Sequence, residues 1–317
     1  MKNEAIYAVL IAFFLNIVIS PFAIPILQRL KFGQNVREDG PNTHLKKAGT
    51  PTMGGIIILL SIIVTTALFL KGNKTTQTVL FGVVGFGTIG FCDDYIKIIK
   101  KRSLGLTAIQ KLIAQLGVTC IFAYLLVNYV GVDTKIMIPF TDRMTWDLGV
   151  IYWPFLIFTT LAVVNAVNLT DGIDGLASSV TVLVATFFMA VALTMQNEGS
   201  AVAAATVGSL LGFLLFNSYP ARVFMGDTGS LALGGFVVTM AFALQMPLFI
   251  LIVGIIYVIE NVSVIAQVAY FKKTKKRLLR MAPIHHHFEL GGWPETKVVT
   301  VFSIITAIMC LVGLIAL

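Results

Sequence analysis

The amino-acid sequence predicts an all-α polytopic membrane protein with about ten transmembrane helices and both termini extracytoplasmic. Three observations carry that reading. Apolar residues make up 57% of the 317-residue chain and charged ones only 12%, whereas a soluble domain carries about 25% charged residues. Apolar runs of ~18 residues or more, each long enough to cross a bilayer as a helix, recur from end to end. Lysine and arginine gather in alternate loops, the pattern that marks the cytoplasmic side.

Taken in order, the spans are expected at 5–28, 53–70, 76–97, 108–130, 148–167, 175–195, 200–217, 228–245, 247–270 and 298–317. The first, AIYAVLIAFFLNIVIS, has no small-residue cleavage site and reads as a retained helix, not a signal peptide. The first loop (29–52) carries Arg29, Lys31, Arg37, Lys46 and Lys47; the third carries Lys100, Lys101 and Arg102; the last (271–297) carries KKTKKRLLR. The odd-numbered loops are therefore read as cytoplasmic. An outer loop at 131–147, GVDTKIMIPFTDRMTWD, alternates around Ile136, Ile138 and Phe140 and is expected to form a small extracytoplasmic hairpin. Gly254, Glu260 and Asn261 predict a bent or broken ninth helix. No internal repeat or low-complexity linker divides the chain, so 1–317 is read as a single membrane domain. The formal charge of +8 fits basic loops against anionic membrane lipids better than nucleic acid. Cys92, Cys120 and Cys310 lie in apolar segments without CxxC spacing, which argues against a zinc site or a disulfide framework.

Five polar clusters fall on the cytoplasmic side of this layout: HLKKAGTPTMGG (44–55), GFCDDYIK (90–97), NAVNLTDGIDG (165–175), NSYPARVFMGDTGS (217–230) and MAPIHHHFE (281–289). Charges scattered at mid-membrane depth would suggest an ion path. Charges gathered at one interface suggest a site where a soluble substrate meets a lipid headgroup. Asp93 and Asp94 sit near the negative dipole end of their helix, where carboxylates are disfavoured, and they repel each other unless a cation compensates. The plain alternative is helix-end solvation with Lys97 as a local partner of Asp94. A divalent metal or a metal–polyphosphate complex would supply the compensation, with Lys97 and Lys111 reaching phosphate oxygens.

Asn165, Asn168, Asp171 and Asp174 recur every three residues, so they fan over roughly half a helix and cannot all bind one ion. Divided roles on metal, phosphate and sugar hydroxyls are expected, although Asp171 or Asp174 could simply cap the next span. Asp227 opens the eighth span, where the positive helix end favours a carboxylate and a hard-metal ligand; Thr228 or Ser230 could cap that span. His285, His286 and His287 cannot all point at one metal from regular structure, so a loop of imidazoles beside phosphates fits better than zinc; a solvated basic loop is the plain alternative.

The ordered set DDYIK, NLTDGIDGLA, FMGDTGS and APIHHHFE, preceded by KKAGTPTMGG, resembles the polyprenyl-phosphate N-acetylhexosamine-1-phosphate transferase superfamily. The HHH loop and TPTMGG make it similar to the phospho-N-acetylmuramoyl-pentapeptide transferase family. That resemblance implies a Mg²⁺-dependent transfer of phospho-MurNAc-pentapeptide from UDP-MurNAc-pentapeptide to undecaprenyl phosphate, giving lipid I and UMP in peptidoglycan biosynthesis. It also implies a homodimer in the bacterial cytoplasmic membrane, with its site facing the cytoplasm. Asp227 is then the leading metal ligand, with Asp94 and Asp174 as helpers. Lys46, Lys47, Lys97, Lys111 and His285 to His287 would stabilise developing charge, His286 and Lys97 among the catalytic groups, and Thr52 lies with the substrate. Asp93 is a candidate general base, although a phosphate monoester is already largely dianionic near pH 7. A phospho-enzyme route is the rival to direct attack. Phe224 is placed to stack on uracil, with Asn217 and Gln267 as polar contacts. A sister N-acetylglucosamine-1-phosphate transferase is the near alternative and an ion-coupled transporter the remote one.

Overall fold

A computed structural model describes residues 2–29, 49–69, 72–100, 102 and 104–317; Lys46 and Lys47 lie outside the described residues. The chain is an all-α polytopic membrane protein. Among the described residues, nine helical spans are long and apolar enough to cross a membrane. They are built from α1 (Lys2–Arg29), α3 (Lys74–Ile99), α4 (Ala108–Tyr124, extended by a π-helical stretch to Val130), α5 (Tyr152–Thr170), α6 (Leu176–Thr194), α7 (Ser200–Asn217), α8 (Gly226–Ala243), α10 (Ile255–Thr274) and α12 (Glu295–Ile315). Three shorter helices complete the set: α2 (Gly55–Phe69), α9 (Ile250–Val253) and α11 (Ile284–Glu289). Helix is imposed by the solvent, because hydrocarbon offers no partner for backbone N–H and C=O groups. Local signals set several starts. Asn73 accepts from the Thr76 amide at 3.0 Å to begin α3, and Thr107 and Gln110 form a reciprocal capping box at α4.

The expected second span at 53–70 is a 15-residue helix, α2, about 22 Å long and short of a ~30 Å hydrocarbon core. The cause lies just before it. Residues 51–55 pair with 224–225 through a turn in which Met53 has φ +68°: the Phe224 amide donates to Pro51 O, Gly54 N to Phe224 O and Gly55 N to Met225 O, each at 2.8 Å. The ninth span is interrupted, but at Gly254 rather than at Glu260 or Asn261, so that α9 and α10 meet at a kink. Between α4 and α5 a two-stranded antiparallel hairpin forms, β1 (Lys135–Met137) and β2 (Thr145–Asp147), with Ile136 opposite Trp146. Its burial does not alternate as expected: consecutive Ile136 and Met137 are both buried and Phe140 is exposed. The Met137 amide is bonded to Gln245 O and that of Phe140 to Ala316 O, so the strand lies down on the ends of α8 and α12.

α8 is the axis of the bundle, buried at every residue from Thr228 to Ala243. It packs antiparallel on α3 at backbone contact. A methyl group added at Gly90 would stand 2.0 Å from Asp227 O, and one at Gly82 2.3 Å from the Thr239 side chain. On the other face, a methyl group at Gly55 of α2 would stand 2.1 Å from Gly229 N. Small residues are what allow helices to approach this closely in a membrane. Because the contact at Gly90 lies beside the polar ends of both helices, fold and site share one constraint.

Gly90→Ala is therefore expected to lower stability by about 1–3 kcal/mol through overpacking. Gly117→Ala, in α4 with nothing within 4 Å of the added methyl, should be neutral or stabilising by up to ~1 kcal/mol. Thermal unfolding of the two purified variants in one detergent checks both.

Candidate active site

The polar ends of α3, α4, α5 and α8 meet at one end of the bundle, and the hairpin lies at the other. Asp93, Asp94 and Asp227 each offer a carboxylate oxygen within 4.8 Å of the others. Their environments differ. Asp94, 3% exposed, is spent on the start of α8: its Oδ1 accepts from the Asp227 amide at 3.2 Å, and its Oδ2 from the Thr228 amide at 2.9 Å and the Thr228 hydroxyl at 2.7 Å. These amides belong to the unsatisfied first turn, and the positive helix end favours the anion. The capping group thus comes from α3, not from Thr228 or Ser230; Ser230 Oγ instead donates back to Gly226 O. Gly226 itself must be glycine, with φ +71° and no room for a Cβ, which would stand 2.7 Å from Asp94 Oδ2 and 2.8 Å from Thr52 Oγ1.

Asp93 accepts from the Leu106 amide through Oδ1 at 2.8 Å, and its Oδ2 is 2.6 Å from Lys97 Nζ. The loop that supplies Leu106 is pinned by Arg102, whose guanidinium donates to Leu104 O and Gly105 O. Asp227 is the open member of the three. Its Oδ2 receives both Lys97 Nζ at 3.1 Å and Lys111 Nζ at 3.0 Å, and its Oδ1 receives the Asn168 amide at 2.9 Å. Lys97 and Lys111 remain partly exposed. Two lysines facing three carboxylates leave the cluster one negative charge in excess. The donors are hard oxygens, with Asp93 Oδ2 and Asp227 Oδ2 turned toward lysine ammonium groups rather than amides. Such a set suits a divalent oxygen-seeking cation that takes one or two carboxylates and fills its remaining positions from phosphate.

The series 165–174 divides. Asn168 joins the cluster, donating to Asp227 and to Ser230 Oγ and accepting from Lys111. Asn165 does not: it exchanges amide hydrogen bonds with Gln115, deeper along α4 and α5. Asp171 lies in the turn after α5. Burial, then the charges of Asp227, Asp94 and Asp174, pushes its carboxyl up to about 8. At neutral pH it is mostly the acid, able to donate a hydrogen bond. Asp174 is not in the carboxylate group; its Oδ2 accepts from the Ala221 amide, and its own amide donates to Glu295 Oε2. Its carboxylate thus holds the 218–225 loop, apart from the group formed by Asp93, Asp94 and Asp227. Neither Asp171 nor Asp174 caps α6, which begins at Gly175 without a side-chain cap.

Other predicted residues are tied into the protein by hydrogen bonds. Asn217 is buried, accepting from Ser178 Oγ and donating to Val223 O. Gln267 Oε1 accepts from the amides of Leu278 and Leu279, clipping the basic loop to α10. Phe224 is half-buried and pairs through its backbone with Pro51 and Gly54. The three histidines do not form a loop of equivalent imidazoles. They lie on helix α11, where successive side chains diverge by ~100°. His285 is fully buried against Glu260, His286 Nδ1 meets Glu289 Oε2 at 2.7 Å, and His287 Nδ1 accepts from the Arg280 amide at 3.1 Å. Sequence reasoning missed Gln115, Glu260, Glu295 and the Leu106 amide. Gln115, one helical turn beyond Lys111, carried a usable signal; the other three depend on tertiary contacts.

Fold and cluster together define a membrane-embedded transferase, and residues 76–245 match glycosyl transferase family 4. Residues 47–59 match the phospho-N-acetylmuramoyl-pentapeptide-transferase signature 1. The chain is 54% identical to the phospho-N-acetylmuramoyl-pentapeptide-transferase of Clostridium kluyveri over 99% of both chains. It is 52% identical to that of Clostridioides difficile, over 99% of this chain and 98% of the relative, and 51% identical to that of Clostridium perfringens, over 98% of each. The chain belongs to the phospho-N-acetylmuramoyl-pentapeptide-transferase family.

Asp94→Ala removes an anionic cap with three accepted hydrogen bonds and should cost about 2 kcal/mol or more of stability. Thr228→Val, which removes one donor, should cost about 1 kcal/mol. Denaturant or thermal unfolding of the purified variants measures both.

Proposed function

We propose that the chain transfers phospho-MurNAc-pentapeptide from UDP-MurNAc-pentapeptide to undecaprenyl phosphate, giving lipid I and UMP in peptidoglycan biosynthesis, at a Mg²⁺-dependent site facing the cytoplasm. The observation that carries the reading is the convergence of Asp93, Asp94, Asp227, Lys97, Lys111 and Asn168 from four helices on one end of a membrane bundle, in a chain of this family. Residence as a homodimer in the bacterial cytoplasmic membrane belongs to the same proposal, in keeping with the bacterial relatives. Orientation is supported by the lysines and arginines of 272–280, which lie at the end of α10. An extracytoplasmic position for both termini is supported by packing. α1 runs parallel to α7, with Val9 against Gly208 and Asn16 against Gly212, and the end of α12 lies under the hairpin.

The reaction joins two polyanions, so their repulsion must be offset before attack. A bound Mg²⁺ would be held by Asp227 and Asp93, and would supply neutralisation of the donor pyrophosphate and of the leaving UMP. Asp94 contributes less to an ion, because both its oxygens fix α8. Lys97 and Lys111 are free to leave Asp227 for phosphate oxygens, carrying their charge toward the reacting centre. An oxygen of the prenyl phosphate attacks the sugar-bearing phosphorus, and UMP departs with the bridging oxygen. Asp93 shapes the approach of that acceptor more than it takes a proton, since the acceptor is largely dianionic at pH 7. Asp171 is a substrate contact in this reading, and Phe224 offers a face for uracil. Positioning and charge do most of the work in phosphoryl transfer.

Purified protein should release UMP from UDP-MurNAc-pentapeptide only when both undecaprenyl phosphate and Mg²⁺ are present. Asp227→Asn and Lys111→Met should each lower kcat roughly a hundredfold or more. Transfer from UDP-N-acetylglucosamine alone would replace this reading with the sister transferase, and metal-independent turnover would remove Mg²⁺ from it.

A further inference from the structure

Glu260 lies within the membrane-spanning helix α10 and is fully buried; so is His285, the first histidine of α11. Glu260 Oε1 and His285 Nδ1 are 3.0 Å apart. The other polar atom of each side chain, Glu260 Oε2 and His285 Nε2, is buried without a hydrogen-bond partner. A carboxylate at such a position is among the costliest groups a membrane protein can hold, and bare polar atoms add to the cost. Packing alone does not require it, since apolar residues of similar volume replace buried polar pairs with little loss or a gain.

Direction supplies the reason. A methyl group built on Gly172 would stand 2.0 Å from His285 Nε2 and 2.5 Å from its Cε1, so the imidazole edge rests on the backbone of the 171–175 turn. Gly172 follows Asp171, the acid closest in sequence to that contact, whose charge environment includes Asp227 and Asp94. The same turn is fastened on its far side by Asp174 to Ala221 and Glu295. The imidazole is thus a wedge between the kinked α9–α10 span and the turn that carries Asp171 to the cluster.

We propose that Glu260 is a positioning residue: it accepts the Nδ1–H of His285, fixes that tautomer and ring plane, and through the ring's contact with Gly172 sets where Asp171 stands relative to Asp227. A carboxylate that orients an imidazole by its Nδ1–H is a general device for fixing tautomer and direction. His285 then acts through the turn's backbone rather than as an imidazole at a phosphate. The inference rests on the transferase reading above.

The test uses the full-length protein, the UMP-release assay and ¹⁵N spectra of histidine-labelled protein, whose 4 histidines keep the spectrum tractable. Glu260→Ala should lower kcat about 10- to 100-fold with donor KM within roughly threefold of the parent, and should abolish one Nδ1–H imidazole signal. Glu260→Gln, which retains an acceptor oxygen, should recover part of the rate. Adding Glu260→Ala to His285→Ala should cost nothing further. A folded Glu260→Ala protein with parental kcat, or losses that multiply in the double variant, would overturn the proposal. If Glu260→Ala does not fold, Gly172→Ala decides. It should reduce kcat in the parent but much less in a His285→Ala background, where the colliding ring is gone; equal loss in both backgrounds would refute the wedge. Absence of turnover in the parent would count against the transferase reading instead, and the ¹⁵N spectrum would still decide the Glu260–His285 pairing.

Discussion

The structure turns on a carboxylate from one membrane span closing the start of another. Asp94 of α3 accepts the first free amides of α8 and the Thr228 hydroxyl. In hydrocarbon those amides have no water to turn to, and a charged acceptor beside a helix N-terminus is the strongest replacement available. The contact fixes the register of α3 on α8, because Gly90 must lie against Asp227 O for the carboxylate to reach. With the register set, Asp93 and Lys97 on the same helix and Asp227 on the other can stand only where they do.

From that constraint the cluster follows as a problem of charge. Three carboxylates at the end of a membrane bundle repel one another, and Lys97 and Lys111 reach across from α3 and α4 to offset most of that repulsion. The residual negative charge, with two partly exposed ammonium groups, is an arrangement able to exchange partners. In the proposed reaction, arriving phosphates would take the lysines and leave the carboxylates to a divalent ion. The scaffold is rigid where amides hold Asp94 and Asp93, and adaptable where flexible lysine stems meet Asp227, a division suited to positioning two polyanions.

Around this centre, polar residues that resemble substrate contacts act as fasteners. Asn217 and Asp174 hold the 218–225 loop, Gln267 holds the basic loop, and Asn165 pairs with Gln115 between spans. Buried polar groups in a membrane must find partners within the protein. A motif rich in Asn and Asp therefore contains both groups that join the carboxylate cluster and groups that fix the loops around it. The histidines show the same division: His285 is packed inside, while His286 and His287 stay near the surface.

Nine of the ten expected spans, the hairpin, the broken ninth helix and the gathering of acids at one end were legible in the sequence, because hydropathy, turn residues and charge act locally along the chain. Family membership was legible too, because ordered motifs survive without their three-dimensional setting. Tertiary structure alone decided which acids meet. Asp93, Asp94 and Asp227 converge while Asp174 turns to Ala221, a difference set by helix crossing and not by spacing. The cap of α8 came from a residue 133 positions away, the short α2 from pairing of 51–55 with 224–225, and the sealing of His285 from a helix that contributes Glu260. A linear pattern records which side chains are polar; only packing decides which neighbour each one meets, because those neighbours come from distant parts of the chain.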